Sequence, residues 1–288
     1  MMFKNFCFLC SYFLLLFQTN FALPLAEQLK KDGYVEICNN QLSRENFNSL
    51  YNHFDELIFF LQTNPIWTQK LHIAKERFLR TKHRNYYSTD FFGFYDESQK
   101  GKRGQISFYY SIDLDDFICH YYPELVQIPQ IFNFFKSCRN IHNSCFCLIK
   151  EAVTALDLET LYSTNQPPIL IKIIKYLPSY LATKPHYDGT AFSIFLDSTN
   201  NDALLLSPYK TSYLKEDFTS PLREFSQLPN QSSNLLIPGA LLTEFSIYPT
   251  PHIVTQSGNT RYATIAFAMR PYFEQKKIEL TPLPNLKD

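Results

Sequence analysis

The chain has 288 residues, 27 basic and 27 acidic side chains, a formal net charge of zero, and 45% hydrophobic and 16% aromatic residues. That apolar content, with only seven glycines, excludes a disordered or fibrous chain and implies a packed globule filled largely by its 27 phenylalanines. Without net charge or a basic run, a nucleic-acid phosphate backbone is not expected as a partner.

The first residues have the order of a secretory signal. Lys4 precedes an unbroken apolar run from Phe6 to Phe17, and Gln18, Thr19 and Asn20 lead to Ala22, a small residue suited to cleavage. The run is too short to span a bilayer comfortably, so no stable membrane span is expected. A signal peptide over residues 1–22 predicts export to a secreted, periplasmic or lumenal location; a buried N-terminal helix of a cytoplasmic protein is the alternative. After Met1 and Met2 the next methionine is Met269, so no internal start skips this segment. Cys7-x-x-Cys10 lies inside the apolar run and is discounted as a redox or zinc motif. Cys38, Cys119, Cys138, Cys145 and Cys147 are then an odd set. Cys138 and Cys145 could pair, but buried free thiols are expected.

A short helix is predicted over Leu25–Lys31, a turn at Asp32-Gly33 and a strand over Tyr34–Ile37. Ser43 then opens an amphipathic helix with Phe47, Leu50, Tyr51, Phe54, Leu57, Ile58 and Leu61 on one stripe, ended by Asn64-Pro65. The stretch from Tyr86 to Tyr110 reads as mixed, with a solvated loop over Gln99–Gly104. Further helices are predicted over Pro123–Lys136 and Cys145–Leu156. From Pro167 the pattern changes to short β-prone runs: Ile169–Leu177, Ala191–Leu196, Ala203–Leu206, Leu235–Ile237, Leu241–Ile247 and Tyr262–Met269. Such spacing suits a double-sheet jelly roll. The expected fold is therefore mainly β with flanking helices. An α-rich region over 23–160 packs on a jelly-roll core over 161–275, and 276–288 is a C-terminal tail.

Chemistry concentrates in Lys184-Pro185-His186-Tyr187-Asp188-Gly189-Thr190, read with Pro251-His252 and Arg261. In an extended segment His186 and Asp188 share a face. His252 completes a set of two imidazoles and one carboxylate, which occupies one face of Fe(II) and leaves positions open. His53, His72, His83, His120 and His142 have no ligand spacing to each other and read as structural or surface residues. No Gly-rich phosphate loop, Gly-x-Ser-x-Gly elbow or zinc cysteine pair is present.

These motifs resemble the iron(II)/2-oxoglutarate-dependent dioxygenases, in their isopenicillin N synthase-like branch. The run Ile171-Lys172-Ile173-Ile174-Lys175-Tyr176-Leu177-Pro178 is similar to the strand that leads into the family's His-x-Asp, and Arg261-Tyr262-Ala263 follows His252 at the family's spacing. The helix-like Glu151–Glu159 and the opening helix, glycine and strand are also similar. The resemblance implies a double-stranded β-helix core with His186, Asp188 and His252 as iron ligands. It also implies that Arg261 and Tyr176 hold the distal carboxylate of 2-oxoglutarate. The implied reaction uses O2 to oxidise a C–H bond of a small molecule, by hydroxylation, desaturation or cyclisation; a monomer is expected. Two residues depart from the pattern: Lys175 replaces an Asn, and Ala263 replaces a Ser that helps hold the cosubstrate. The second departure keeps open an oxidase that needs no oxoglutarate. A secreted jelly-roll binding protein without turnover is a third reading. Nothing in the sequence marks the substrate.

Overall fold

The computed structural model describes residues 24–37, 42–80, 92–98, 104–162, 168–178, 186–199, 203–207, 226–227, 234–255 and 258–269. The signal segment, Cys38, His83, most of the 99–104 loop and the C-terminal tail lie outside them.

Helix α1 (Leu25–Asp32) ends at Gly33, whose φ of 78° is the left-handed cap that glycine adopts without strain. Strand β1 (Val35–Ile37) follows. Helix α2 (Arg44–Thr63) starts where the sequence predicts, with Ser43 Oγ accepting from the Asn46 N–H at 3.3 Å, and buries the seven expected residues of its stripe. Helix α3 (Pro65–Arg80) adds to the predicted elements. Pro65 opens it rather than merely ending α2, because proline at a first helical position costs no hydrogen bond. The mixed stretch supplies β2 (Gly93–Asp96) and β3 (Gln105–Tyr110), then come α4 (Ile112–Tyr121) and the short α5 (Pro123–Val126).

Helix α6 (Pro129–Ala155) is one continuous element where the sequence predicts two separate helices. The polar-looking middle does not break it, because Ser137, Cys138, Ile141, His142 and Cys145 form a buried stripe. Cys138 and Cys145 are both buried and free. Seven helical residues span about 10 Å, beyond the Cα separation a disulfide tolerates.

The remaining strands are β4 (Ile169–Tyr176), β5 (Phe192–Ser198), β6 (Leu204–Leu206), β7 (Ser226–Gln227), β8 (Asn234–Pro238), β9 (His252–Val254) and β10 (Arg261–Ala268). A seven-stranded antiparallel sheet has the order β1-β8-β5-β10-β4-β3-β2, and a three-stranded sheet the order β7-β6-β9. An isolated bridge between His186 and His252 adds a fourth segment to the smaller sheet. The chain thus supplies four segments from β4 to β10 to each sheet, which is the double-sheet jelly roll expected. Strands β1, β2 and β3, from the N-terminal part, widen the larger sheet.

The outer face of the larger sheet packs on α2 and α6. Phe108 of β3 sits 5.0 Å from Phe134, which stacks on Phe54 at 5.3 Å. Among the described residues no helix is long and apolar enough to cross a membrane.

The run Leu241–Ile247, predicted as a strand, is instead largely a 3-10 helix over Ala240–Phe245. Its opening N–H groups are used elsewhere: Gly239, Ala240 and Leu241 donate to the carbonyls of Ala191, Asp188 and Thr190 at 2.8, 2.8 and 3.1 Å. That leaves no ladder for a strand to join. The approach is so close that a Cβ on Gly239 would stand 2.1 Å from the Thr190 carbonyl oxygen. Gly239→Ala should therefore cost about 3 kcal/mol, the upper end for overpacking, measured by chemical denaturation; an unchanged midpoint would mean that the turn yields freely.

Candidate metal and cosubstrate site

The site lies between the two sheets. His186 and His252 exchange backbone hydrogen bonds: the His186 N–H donates to the His252 carbonyl at 3.1 Å, and the His252 N–H to the His186 carbonyl at 2.8 Å. Directly opposed residues of an antiparallel pair present their side chains to the same face, and the two imidazole centroids are 4.4 Å apart. Asp188 follows two residues on, and one ligand atom from each of His186, Asp188 and His252 lies within 4.8 Å of the others.

Neighbouring groups set the orientation of these side chains. His252 is buried, and its Nδ1 lies 3.2 Å from the Thr250 carbonyl. A carbonyl can only accept, so Nδ1 carries a proton and Nε2 is the nitrogen turned to the cluster, 4.0 Å from Asp188 Oδ1. The other Asp188 oxygen accepts from Ser193 Oγ at 2.5 Å. Phe195 closes the His252 side, ring edge to ring face, with centroids 5.7 Å apart. Beside Asp188, burial pushes the Tyr187 phenol above its ordinary pKa.

Strands β4 and β10 provide the second half of the site. Tyr176 stands opposite Arg261, Ile174 opposite Ala263 and Lys172 opposite Ile265. The alternate residues turn to the helices: Tyr262 Oη donates to Asp55 of α2 at 2.5 Å, Thr264 Oγ1 donates to Tyr51 Oη at 3.1 Å, and Lys175 donates to Asp55 at 2.8 Å. Arg261, Ala263, Tyr176 and Lys172 therefore face the interior between the sheets. Arg261 is buried, with its guanidinium carbon 4.4 Å from the Tyr176 ring centroid.

The register settles the consequence of both departures from the motif. Lys175 points away from the site, so its replacement of an Asn places no charge there. Ala263 faces the site, and neither Tyr262 nor Thr264 can supply the missing hydroxyl. Sequence reasoning passed over Ser193 and Lys172. Ser193 has no motif signal, but Lys172 has one: in a strand it shares the face of Tyr176, four residues on.

No protein-family model matches the sequence, and no curated protein does either. Solved structures match over most of the chain. A C-terminally truncated protein of Neurospora crassa, in apo form, covers 85% of this chain and 85% of its own, at 14% identity and a TM-score of 0.55. The dioxygenase for auxin oxidation 1 of Arabidopsis thaliana, a 2-oxoglutarate complex, covers 85% of this chain and 86% of its own, at 13% identity and a TM-score of 0.50. A Caulobacter crescentus protein named for the 2OG-Fe(II) oxygenase family covers 85% and 80%, at 14% identity and a TM-score of 0.50. Over most of its length this protein therefore has an iron(II)/2-oxoglutarate oxygenase fold.

Proposed function

We propose that this protein is a non-haem iron(II)/2-oxoglutarate-dependent oxygenase that oxidises a C–H bond of a small molecule. The observation that carries the reading is the convergence of His186, Asp188 and His252 to within 4.8 Å between the sheets of an oxygenase-type jelly roll. The donor set fits the metal: two neutral imidazoles and one carboxylate suit Fe(II) and leave other positions open. The Thr250 carbonyl that accepts from His252 Nδ1–H and the Ser193 hydroxyl that donates to Asp188 orient the donors, as partners of metal ligands do.

Iron(II) with 2-oxoglutarate and O2 supplies oxidative decarboxylation to succinate and CO2, coupled to oxidation of the substrate. The protein supplies positions. Arg261 and Tyr176 would hold the distal carboxylate of the cosubstrate. The guanidinium carbon lies over the Tyr176 ring, and the planar fork of an arginine matches a carboxylate. Phe195 packs its ring against that of His252.

His186→Ala and Asp188→Ala should each lose stoichiometric Fe(II) binding, read by anaerobic metal titration, and lose succinate formation while keeping the fold. An Asp188→Ala protein that binds one iron at wild-type affinity and turns over would contradict the assignment. Arg261→Ala should weaken 2-oxoglutarate roughly a hundredfold, the cost of a charge-assisted pair, whereas Ala263→Ser should tighten it by about 1 kcal/mol. Calorimetric titration decides both; an oxoglutarate affinity unmoved by Arg261→Ala would place the cosubstrate elsewhere.

We further propose that the protein is exported, supported by the basic residue, apolar run and small residues of positions 4–22. The mature chain should then begin near Leu23 by N-terminal sequencing. An intact Met1 on protein in the cytosolic fraction would overturn export.

A further inference from the structure

We infer that Lys172 anchors the substrate: its ammonium receives the carboxylate of a small, otherwise apolar monoacid bound beside the His-Asp-His cluster. The inference rests on the oxygenase reading for the position of the reacting centre.

The argument begins with two lysines three residues apart on β4. Lys175 faces the helices and pairs with Asp55 at 2.8 Å. Lys172 faces the site, opposite Ile265 of β10 and Tyr109 of β3. Its Nζ lies 5.1 Å from the centroid of the Tyr109 ring. Among the described residues no carboxylate stands within ion-pair distance of that ammonium. Lys172 is half-buried and shares a hydrogen bond with the Tyr109 hydroxyl; a partly desolvated charge without an ionic partner suits a site where an anion arrives with the ligand.

Its electrostatic surroundings favour the charged form. Desolvation pulls the Lys172 pKa down, but Tyr109, Tyr176 and the more distant Asp188 carboxylate outweigh it and leave the pKa above the ordinary lysine value. Asp188 cannot serve as a permanent partner, because its oxygens serve Ser193 and the ligand cluster.

The surroundings also specify the rest of the ligand. On this face Ile174, Ile265, Phe267 and Phe195 give an apolar lining, to which Ser107, Tyr109 and Ser193 add hydroxyls. One cation in a wall of mainly apolar side chains with a few hydroxyls suits a single negative charge on a mainly apolar body. The cosubstrate is a separate anion: Arg261 faces Tyr176, four residues along β4 from Lys172, which is roughly 13 Å at strand rise.

The test uses zinc-loaded and metal-free protein, wild type and variants, with phenylacetate, 3-phenylpropionate and octanoate, each against its primary amide. Equilibrium dissociation constants are measured by ligand-observed NMR, and 2-oxoglutarate and zinc are titrated on the same samples. At least one acid should bind wild type roughly tenfold to a hundredfold tighter than its amide, the range for a hydrogen-bonded charge. Lys172→Met should abolish that preference without changing 2-oxoglutarate or zinc affinity, and Lys172→Arg should restore most of it. A purely structural lysine would alter melting temperature and leave the acid-to-amide ratio alone. If Lys172→Met does not fold, Lys172→Gln takes its place. The inference is overturned if wild type binds no acid better than its amide, or if the preference survives in Lys172→Met. It is equally overturned if Lys172→Met loses 2-oxoglutarate instead. Failure of wild type to bind zinc and 2-oxoglutarate would sink the oxygenase reading, while the ratio in metal-free protein still reports on Lys172.

Discussion

The reciprocal backbone pair between His186 and His252 is the constraint on which the rest of the site depends. It joins two segments 66 positions apart in the chain (252 − 186) at the margin of the smaller sheet. One pair of hydrogen bonds of about 3 Å thereby places two imidazoles side by side without any side-chain contact having to do so. Asp188 is brought in from the other direction. The turn after β8 donates N–H groups to the backbone at Asp188, Thr190 and Ala191, and no side chain fits at Gly239 because of it. Backbone geometry therefore assembles the cluster, and Thr250 and Ser193 only set the final rotation of the ligands.

A second constraint is the alternation of β4 and β10, which separates the charge paired with the helices from the charge that faces the interior between the sheets. The outward row holds Lys175, Tyr262 and Thr264, each with a partner on α2. The inward row holds Lys172, Tyr176 and Arg261 among Ile and Phe side chains. A bulge in β5 extends the sorting. Phe195 and Asp197 are two residues apart and would normally share a face, yet Phe195 lies against His252 while Asp197 accepts from Tyr51 of α2 at 2.9 Å. The register shift where β5 meets Thr264 and Ile265 provides the extra half-turn.

Much of this was legible in the sequence where local chemistry and burial agree. The α2 stripe and its Ser43 cap were read residue by residue, because a helix half-buried on a sheet needs apolar side chains at that period. The His-x-Asp pair, His252 and Arg261 were found from type and spacing. What escaped was decided by tertiary partners. The 240–245 segment is apolar enough for a strand, but its N–H groups go to the Asp188 region, which no local signal records. Helix α6 passes through a polar-looking stretch because one face of it is buried by the sheet and α2. Lys172 went unremarked because its importance lies in facing the site while Lys175 does not, and that depends on register. For the same reason Lys175 looked like a change to the site, although it belongs to the helix layer.

The central claim is that the interior between the sheets binds a metal at His186, Asp188 and His252 and an anionic cosubstrate at Arg261. A crystal structure of the protein with manganese(II) and 2-oxoglutarate, grown without oxygen, tests it most directly. The account predicts one metal ligated by those three side chains, with the distal carboxylate of 2-oxoglutarate against the Arg261 guanidinium. A metal bound elsewhere, or a cosubstrate whose carboxylate does not meet Arg261, would contradict it.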